Sequence, residues 1–342
     1  MQELKLPGMA GECSILVGES ISNLANYCNG RQAAIVTDSN LLRFHGGAFQ
    51  KLPVIEVGTG EGSKTLATVE KVYESMLQLG LDRSSMLVGI GGGIVCDVAG
   101  FAASTYLRGI SFGFVPTTLI AQSDAAVGGK NGVNLHGYKN LVGTIRQPEF
   151  VLCDFALLKT LPQRELACGF AEIIKCAAIA DVQLFAYLEE HLPDALALKR
   201  AAIEKAVNGA LAVKVKIVSE DEMEKGGRMK LNFGHTLGHA IEKTFGLPHG
   251  EAISIGMAAA ARISCARGML PRKDAERVEE LLASVPLPTK LMGIEEGLMD
   301  AIEKDKKRAE GNIRMCLLEG IGRAKIAEVG ISELEAVLDD LR

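Results

Sequence analysis

The sequence predicts an α/β protein with a Rossmann-like N-terminal domain and a mainly α-helical C-terminal domain. In the first half of the chain, short β-branched runs alternate with helical patterns, which is typical of a parallel sheet covered by helices. After about Leu161 the pattern changes to long helical segments rich in Ala and Glu. A chain of 342 residues is long enough for two ordinary domains, which we expect at residues 1–161 and 162–342.

Hydrophobic periodicity predicts the individual elements. Apolar side chains repeat at helical spacing from Thr65 to Leu79, and Gly80 provides a stop signal for this helix. Short β-branched runs predict four strands in the first half, at residues 33–37, 54–57, 86–90 and 111–115. In the second half, strand signals return only at residues 313–318 and 324–329.

Composition and charge argue against some classes of binding partner. A formal net charge of −5 and the lack of a basic stripe argue against nucleic-acid binding. Asp97 and Arg108 interrupt the most apolar region, so no stretch reaches the roughly 20 uncharged residues that span a bilayer. Eight cysteines are scattered without CxxC spacing, which is typical of buried free thiols in a reducing compartment. We therefore expect a cytoplasmic, enzyme-like protein without a nucleic-acid or membrane partner.

Three consecutive glycines, at residues 91–93, join the strand at 86–90 to a helical pattern. Such a turn aims backbone N–H groups at a phosphate. Counted from Gly89, the dinucleotide fingerprint G-x-G-x-x-G needs its last glycine where Ile94 stands, so that motif is not met. A tight turn without a ligand is an equally good interpretation of the triplet alone. Asp97, one turn later, is suited to hydroxyl recognition.

Polar residues follow the strand predicted at 111–115. Thr117 and Thr118 would lie at the carboxyl edge of the sheet, where ligands of open α/β sheets bind. The next stretch has little helical or strand periodicity and mixes glycines with polar side chains, so we expect a functional loop. Its polar residues include Asp124, Lys130, Asn134, Lys139 and Asn140. Each lysine, taken alone, is more typical of ordinary surface exposure, and only the neighbouring polar residues favour a functional role.

Three residues of the second half could ligate a metal: Glu172, His235 and His249. One carboxylate with two imidazoles is a common catalytic Zn²⁺ set. His239 shares a helix face with His235, but the zincin motif H-E-x-x-H fails because Thr236 replaces its glutamate. The residues alone leave metal binding and ordinary core packing of the histidines open.

Two charge patterns have ordinary interpretations. Glu172 and Lys175 are three apart on a predicted helix and could form a surface ion pair, although their apolar neighbours favour burial. The charge runs at residues 220–225 and 303–308 predict solvated faces or turns.

The chain closely resembles the 3-dehydroquinate synthase family, in order, over most of its length. The matching segments are residues 91–108, 115–140, 169–175 and 228–251. The most specific motifs are LNFGHTLGH at 231–239, PTTL at 116–119 and GGKNGVN at 128–134. Cys96 departs from the usual glycine, and Ala125 and Ala126 depart from the usual serines. None of these three is a charged or ligand position.

The resemblance implies a role for each matching residue. It makes Glu172, His235 and His249 the ligands of a divalent metal, Zn²⁺ or Co²⁺. It implies catalytic roles for His239 as acid/base and for Lys175, Lys130 and Asn140. The implied NAD-binding residues are Asp38, Glu61, Lys64, Gly91, Gly92, Gly93, Asp97, Thr117, Thr118, Asp124, Lys130, Lys139, Leu157, Thr160, Leu161 and Glu165. The implied substrate-binding residues are Arg108, Asp124, Lys130, Lys139, Asn140, Lys175, Lys214, Arg228, Asn232, His239 and Lys306.

The implied reaction converts 3-deoxy-D-arabino-heptulosonate 7-phosphate to 3-dehydroquinate and phosphate, a lyase step of the shikimate pathway toward chorismate and the aromatic amino acids. NAD-mediated oxidation at C5 would precede phosphate elimination, reduction and aldol closure. A homodimer is also implied, in which Arg108 reaches into the neighbouring subunit's site. An acidic protein that binds a phosphate and a carboxylate must concentrate its cations in one cleft.

Alternatives of the same fold stay open. One is another sugar phosphate cyclase, such as an aminodehydroquinate, 2-deoxy-scyllo-inosose or 2-epi-5-epi-valiolone synthase. Asn140, Arg228 and Asn232 favour a carboxylated, dehydroquinate-type substrate. A metal-dependent alcohol dehydrogenase, or a catalytically silent NAD or phosphosugar sensor, would be more distant alternatives.

Overall fold

The computed structural model describes residues 1–9, 11–49, 51–291, 298 and 312–341. The chain divides into two compact units, Met1–Pro162 and Gln163–Arg342. Lys306 and the charge run at 303–308 lie outside the described residues. The first unit contains a largely parallel sheet with helices, and the second is mostly helical, which confirms the predicted fold class.

A seven-stranded sheet forms the core of the described part of the first unit. The strands of this unit are β1 (Gln2–Gly8), β2 (Gly11–Val17), β3 (Ala33–Asp38), β4 (Val54–Val57), β5 (Met86–Gly91), β6 (Ser111–Pro116), β7 (Lys130–Leu135), β8 (Tyr138–Ile145) and β9 (Phe150–Cys153). From edge to edge, the sheet order is β1-β2-β9-β6-β5-β3-β4. β1 pairs antiparallel with β2, whereas the pairs from β2 to β4 are parallel.

The strand order indicates the edge of the sheet at which a ligand would bind. The strands β4-β3-β5-β6-β9 follow the 2-1-3-4-5 order of a doubly wound sheet, so the winding direction reverses between β3 and β5. Ligands of such sheets bind at the carboxyl ends of the strands at this reversal. Asp38 ends β3 and Gly91 ends β5, so both residues lie at this edge.

The four strands predicted in the first half are confirmed as β3 to β6, with ends that differ by at most one residue. The helices of this unit are α1 (Leu24–Cys28), α2 (Ser39–His45), α3 (Leu66–Gln78) and α4 (Gly93–Thr105). The predicted helix is α3: Thr65 caps it by accepting a hydrogen bond from the Thr68 backbone N–H at 3.2 Å, and Gly80 leaves it with φ of +66°.

The prediction of a loop after Thr118 is wrong, because the backbone of this segment is regular. The segment forms a π-helical turn at Ala121–Ala125 and then the antiparallel hairpin of β7 and β8. The strands of this hairpin approach closely, because a Cβ on Gly132 would lie 2.7 Å from the Val142 carbonyl oxygen. Glycine and asparagine have low strand propensity, so the sequence gives no period-two signal here.

The second unit is built around one buried helix. The described residues of this unit form the helices α5 (Gln163–Ala180), α6 (Val182–Leu196), α7 (Arg200–Glu220), α8 (His235–Phe245), α9 (His249–Ala266), α10 (Arg272–Ser284) and α11 (Ile331–Asp340). The predicted C-terminal strands are β10 (Asn312–Gly320) and β11 (Arg323–Gly330), which form a hairpin. α5 is buried from Leu166 to Ile179 and packs against α6, α7 and α9. Polar side chains inside such a helix need partners within the protein.

The cysteines have the state that their sequence pattern predicts. All eight are free, and seven are buried, whereas Cys265 is only partly buried. Among the described residues, no helix combines the length and the apolar character needed to cross a membrane.

Candidate active site

Three helices of the second unit bring Glu172, His235 and His249 together. Glu172 lies in the middle of α5, and the two histidines are the first residues of α8 and α9. His249 Nε2 lies 3.1 Å, and His235 Nε2 3.6 Å, from the same oxygen, Glu172 Oε1. Ligand atoms of a tetrahedral zinc site lie about 3.3 Å apart, given bonds of about 2.0–2.1 Å. The donor set and its spacing therefore fit a divalent metal such as Zn²⁺.

Close packing of α8 on α9 holds the two histidines in place. Gly234 precedes His235 with φ of +80°, a conformation that favours glycine. A Cβ on Gly234 would lie 2.5 Å from Met257 Cγ, and one on Gly256 would lie 2.0 Å from the Gly234 carbonyl oxygen. A side chain at either glycine would push the helices apart and separate His235 from His249.

Both histidines direct Nε2 toward Glu172 and Nδ1 toward another oxygen. His235 Nδ1 lies 3.2 Å from the Phe233 carbonyl oxygen, and His249 Nδ1 lies 3.1 Å from Glu242 Oε2. An oxygen that accepts the Nδ1–H of an imidazole leaves Nε2 as the metal-binding atom. Glu242 was missed in the sequence analysis, although it lies seven residues after His235, on the same face of α8.

The protonation states of the three ligands depend on burial and on one another. Burial raises the pKa of Glu172, but the Lys175 ammonium and the two histidines outweigh it and hold this pKa well below its usual range. Burial lowers the pKa of His235 to about 3. Burial opposes charge on His249 too, but hydrogen bonds to Glu172 and Glu242 raise its pKa to about 9. At neutral pH the metal-free site thus holds a carboxylate, a neutral His235 and a protonated His249.

Lys175 and Glu172 form a buried ion pair. Lys175 Nζ donates a hydrogen bond to Glu172 Oε2, and both side chains are at most 2% exposed. Burial of the pair, which the apolar neighbours favoured, is confirmed, and the surface ion pair is wrong. One oxygen of Glu172 therefore faces Lys175 while the other faces the histidines.

The other substrate residues predicted in the described part of the second unit come from neighbouring elements. α5 packs against α7 and against the 3₁₀ turn Gly227–Asn232. Lys214 on α7 and Arg228 in the turn are buried cations, 5% and 3% exposed. Asn232 Nδ2 donates a hydrogen bond to Glu224 at 3.2 Å. His239 is exposed, and its ring centroid lies 5.2 Å from that of His235.

In the first unit, the glycines at 91–93 form the junction of β5 and α4. A Cβ on Gly91 would lie 2.5 Å from Val95 Cβ, so only glycine fits there. The Thr117 backbone N–H donates to the Gly91 carbonyl oxygen at 2.9 Å, and a Cβ on the second glycine would lie 3.1 Å from Thr118 Cγ2. The turn thus presents the N-terminus of a 13-residue helix without side chains in front of it. Such a cradle fits the pyrophosphate of a dinucleotide.

A hydrogen-bond network ties the β7–β8 hairpin to this edge of the sheet. Lys64, 5% exposed, donates to Asp97 on α4 and, at 2.5 Å, to Asn140 Oδ1. Asn134 Nδ2 donates to Glu61 Oε1 at 2.7 Å, and Asn134 Oδ1 accepts from the Asn140 backbone N–H at 2.9 Å. The network brings predicted cofactor residues and a predicted substrate residue together. Asn134 had no separate role among the sequence-based predictions.

Other predicted cofactor residues have structural partners of their own. Asp38 caps α2 by accepting from two backbone N–H groups, at 2.9 and 3.1 Å. Thr160 Oγ1 lies 2.8 Å from Nε2 of His45, a residue that the sequence analysis missed. Leu157 is buried in the core of the sheet, whereas Leu161 is partly buried. Glu165 is exposed in the first turn of α5.

The remaining predicted residues lie at or near the surface of the first unit. Lys130 and Lys139 are exposed on the hairpin, and Asp124 is partly buried in the π-helical turn. Arg108 is exposed on a turn in which Leu107, Arg108 and Gly109 all have positive φ, at +49°, +67° and +116°. Consecutive left-handed residues other than glycine are strained, and such strain is common where a side chain serves function.

Solved sugar phosphate cyclases share the fold of this chain. A solved 2-deoxy-scyllo-inosose synthase, complexed with carbaglucose-6-phosphate, NAD⁺ and Co²⁺, superposes with a TM-score of 0.87 at 28% identity and covers 100% of both chains. ValA, the 2-epi-5-epi-valiolone synthase from Streptomyces hygroscopicus subsp. jinggangensis with NAD⁺ and Zn²⁺ bound, also has a TM-score of 0.87 at 28% identity, with 96% of each chain covered.

Sequence comparison identifies a nearer group. The 3-dehydroquinate synthase of Rhodopseudomonas palustris is 42% identical over 334 residues, which cover 91% of this chain and 86% of the relative. Residues 54–168 match the family model described as 3-dehydroquinate synthase N-terminal, and residues 169–308 match the one described as 3-dehydroquinate synthase C-terminal. The chain therefore belongs to the 3-dehydroquinate synthase family.

Proposed function

We propose that this chain converts 3-deoxy-D-arabino-heptulosonate 7-phosphate to 3-dehydroquinate and phosphate, as a carbon–oxygen lyase of the shikimate pathway that depends on NAD and on Zn²⁺ or Co²⁺. The observation that carries the proposal is the cluster of the buried Glu172 with the partly buried His235 and His249, with the exposed His239 beside it. Family membership at 42% identity supports the choice of substrate.

The residues of the first unit would bind NAD. The glycine turn at 91–93 and the first turn of α4 would hold the pyrophosphate, because backbone N–H groups and the helix dipole both favour an anion there. Asp38, at the end of β3, would bind ribose hydroxyls, as acidic residues in doubly wound sheets do. When bound, NAD would accept a hydride from C5 of the substrate and return it later. Residues 1–161 are thus proposed as the NAD-binding domain.

Residues 162–342 are proposed as the metal- and substrate-binding domain. Glu172, His235 and His249 would hold the metal, and Lys175 keeps the Glu172 carboxylate ionised. The metal, when bound, would supply a Lewis acid that polarises substrate hydroxyls. His239 would hold and move the proton of the C5 hydroxyl, because its exposed ring lies next to the proposed ligands. We assign no residue to the C6 proton, since the departing phosphate of the substrate can take it.

The anionic groups of the substrate require cations. Lys214 and Arg228 are proposed as buried partners, because charge-assisted hydrogen bonds are strong where water is excluded. The other proposed substrate residues are Arg108, Asp124, Lys130, Lys139, Asn140, Asn232 and Lys306. Arg108 would act in the neighbouring subunit of a homodimer, and a cytoplasmic location stays a prediction from composition.

Phosphate release tests the function. The protein is incubated with the heptulosonate phosphate and a divalent metal, with and without NAD⁺, and again after removal of the metal with a chelator. We expect phosphate and 3-dehydroquinate only when both NAD⁺ and metal are present. Full NADH formation in metal-free, substrate-loaded protein would contradict the role assigned to the metal.

The activity of another sugar phosphate cyclase is the nearest alternative, because two solved cyclases of this kind superpose over 100% and 96% of the chain. Asn140, Arg228 and Asn232 favour the carboxylated substrate instead. Turnover of a sugar phosphate without a carboxylate, in preference to the heptulosonate phosphate, would favour the alternative. A metal-dependent alcohol dehydrogenase would accumulate NADH during turnover, and a sensor would bind NAD⁺ without releasing phosphate.

A further inference from the structure

His249 lies between two carboxylates of different helices. Its Nε2 is 3.1 Å from Glu172 Oε1 on α5, and its Nδ1 is 3.1 Å from Glu242 Oε2 on α8. The Glu242 side chain is 14% exposed and that of His249 is 31% exposed, so water only partly competes for this contact. Glu242 has no role in the function proposed above.

The two contacts make the ring nitrogens of His249 competitors for a metal. A neutral imidazole carries one N–H, and only the other nitrogen can ligate. His239, Glu242 and His249 also offer ligand atoms within 4.8 Å of one another, as do Glu172, His235 and His249. A bare Nε2 would face Glu172, whereas a bare Nδ1 would face Glu242, which belongs to the set that contains His239.

We propose that Glu242 is a positioning residue that accepts the Nδ1–H of His249 and so commits Nε2 to the metal set of Glu172 and His235. The inference rests on the proposed metal site and names the residue that determines which nitrogen of His249 ligates the metal there. It also keeps His239 out of the ligand shell, which its proposed role in proton transfer requires. In His235 the same task falls to the Phe233 carbonyl oxygen, at 3.2 Å.

A carboxylate suits this task better than a neutral acceptor. It holds the ring orientation across the α8–α9 contact and raises the basicity of the ligating nitrogen. Because the hydrogen bond joins two helices, loss of the carboxylate would also allow the ring to rotate. Both effects weaken binding at the Glu172 set.

The test measures metal binding instead of turnover. Zn²⁺ affinity is measured by competition with a chromophoric chelator for the unmodified protein and for Glu242→Ala and Glu242→Gln. We expect Glu242→Ala to weaken Zn²⁺ binding about 10- to 100-fold, with Glu242→Gln between it and the unmodified protein. The visible spectrum of the Co²⁺-loaded protein should change in both variants, because ligand orientation changes.

Glu189→Gln is the matched control. Glu189 lies on α6 and pairs with Arg277 through two hydrogen bonds of 2.8 Å, so the same chemical change is made away from the histidines. We expect its Zn²⁺ affinity and Co²⁺ spectrum to match those of the unmodified protein. If Glu242→Ala does not fold, the isosteric Glu242→Gln carries the test.

The outcomes separate this inference from the proposed function. If both Glu242 variants bind Zn²⁺ within about twofold of the unmodified protein and keep its Co²⁺ spectrum, the positioning role is refuted. Lower thermal stability in chelator with unchanged Zn²⁺ affinity would likewise refute it, because it would show a merely structural role. If instead His235→Ala binds Zn²⁺ as tightly as the unmodified protein, the proposed metal site itself fails.

Discussion

Lys175 donates a hydrogen bond to Glu172 one turn earlier on the same buried helix, and the other oxygen of that carboxylate faces His235 and His249. The carboxylate therefore compensates a buried ammonium and offers a ligand atom at the same time. Because an unpaired buried charge is costly, the proposed metal site and the stability of α5 depend on one residue.

Glu172→Gln should destabilise the metal-free protein as well as remove a ligand. We expect its free energy of unfolding to fall by about 3–5 kcal/mol, because the Lys175 ammonium loses its partner. The double variant Glu172→Gln/Lys175→Met should recover part of this loss. Chemical denaturation in the presence of a chelator measures the free energy of unfolding of both variants. The single variant Lys175→Met completes the double-mutant cycle. Strictly additive effects of the two changes would contradict coupling between the residues.

Metal affinity should rise with pH through the neutral range. Glu172 is already ionised and His235 neutral, but His249, with its pKa raised to about 9, must lose a proton to ligate. We expect the apparent Zn²⁺ association constant to rise about tenfold per pH unit between about pH 7 and 8. A pH-independent constant, measured by chelator competition, would mean that His249 is neutral in the metal-free site.

The same ionisation predicts the pH dependence of stability without metal. The pKa of His249 is raised to about 9 in the folded protein, whereas an unfolded histidine has a pKa of about 6.5. Protonation of His249 therefore stabilises the folded state in full below about pH 6.5, and this stabilisation is lost as the pH rises through 9. The thermal midpoint in chelator should therefore fall between about pH 7 and 9. His249→Gln, which cannot titrate there, should show a flatter profile, and an equally steep one would contradict the assignment.

Gly91→Ala should impair NAD⁺ binding and folding together. The added methyl would lie 2.5 Å from Val95 Cβ, so the β5–α4 turn must shift. We expect the free energy of unfolding to fall by about 1–3 kcal/mol, as in other overpacked sites, and the affinity for NAD⁺ to fall as well. Gly47→Ala is the control, because a Cβ there has no neighbour within 4 Å. Isothermal titration calorimetry with NAD⁺ compares the two, and equal affinities would contradict a role for the turn.

Substitutions of Asn140 should separate backbone strain from chemistry. Asn140 has φ of +53°, a conformation that glycine adopts more readily than alanine. Asn140→Ala should lower the free energy of unfolding by roughly 1 kcal/mol relative to Asn140→Gly. Both variants should lose most activity, because both lack the amide that accepts from Lys64 and is proposed to bind substrate. Full activity in Asn140→Gly would show that only the backbone conformation matters.

Arg108→Ala should be rescued by mixing if Arg108 serves the neighbouring subunit. Arg108→Ala and His239→Ala are each expected to be nearly inactive. After joint unfolding and refolding, roughly a quarter of the activity should return, because half of the dimers are mixed and each contains one complete site. Arg108→Ala mixed with itself is the control. No recovery, with mixed dimers verified by mass spectrometry, would place Arg108 in its own subunit's site.

Local sequence patterns determined much of this protein. The strands β3 to β6, the helix α3 and the glycine turn follow from periodicity and from the special backbone of glycine, which act over a few residues. Glu172, His235 and His249 stand out by residue type, since so few histidines occur in the chain. The burial of Glu172 with Lys175 also follows from their apolar neighbours.

Only the tertiary structure decided how these parts meet. Glu172 and His249 are 77 residues apart in sequence, and their contact depends on how α5 packs against α9. The acceptors of the two Nδ1 atoms, the contacts of Asn134 and the pairing of His45 with Thr160 also require distant segments to meet. The β7–β8 hairpin gave no local signal, because glycines and amides let two backbones approach without any hydrophobic alternation. Side-chain packing between helices, which no local pattern encodes, selects the histidine nitrogen that faces Glu172.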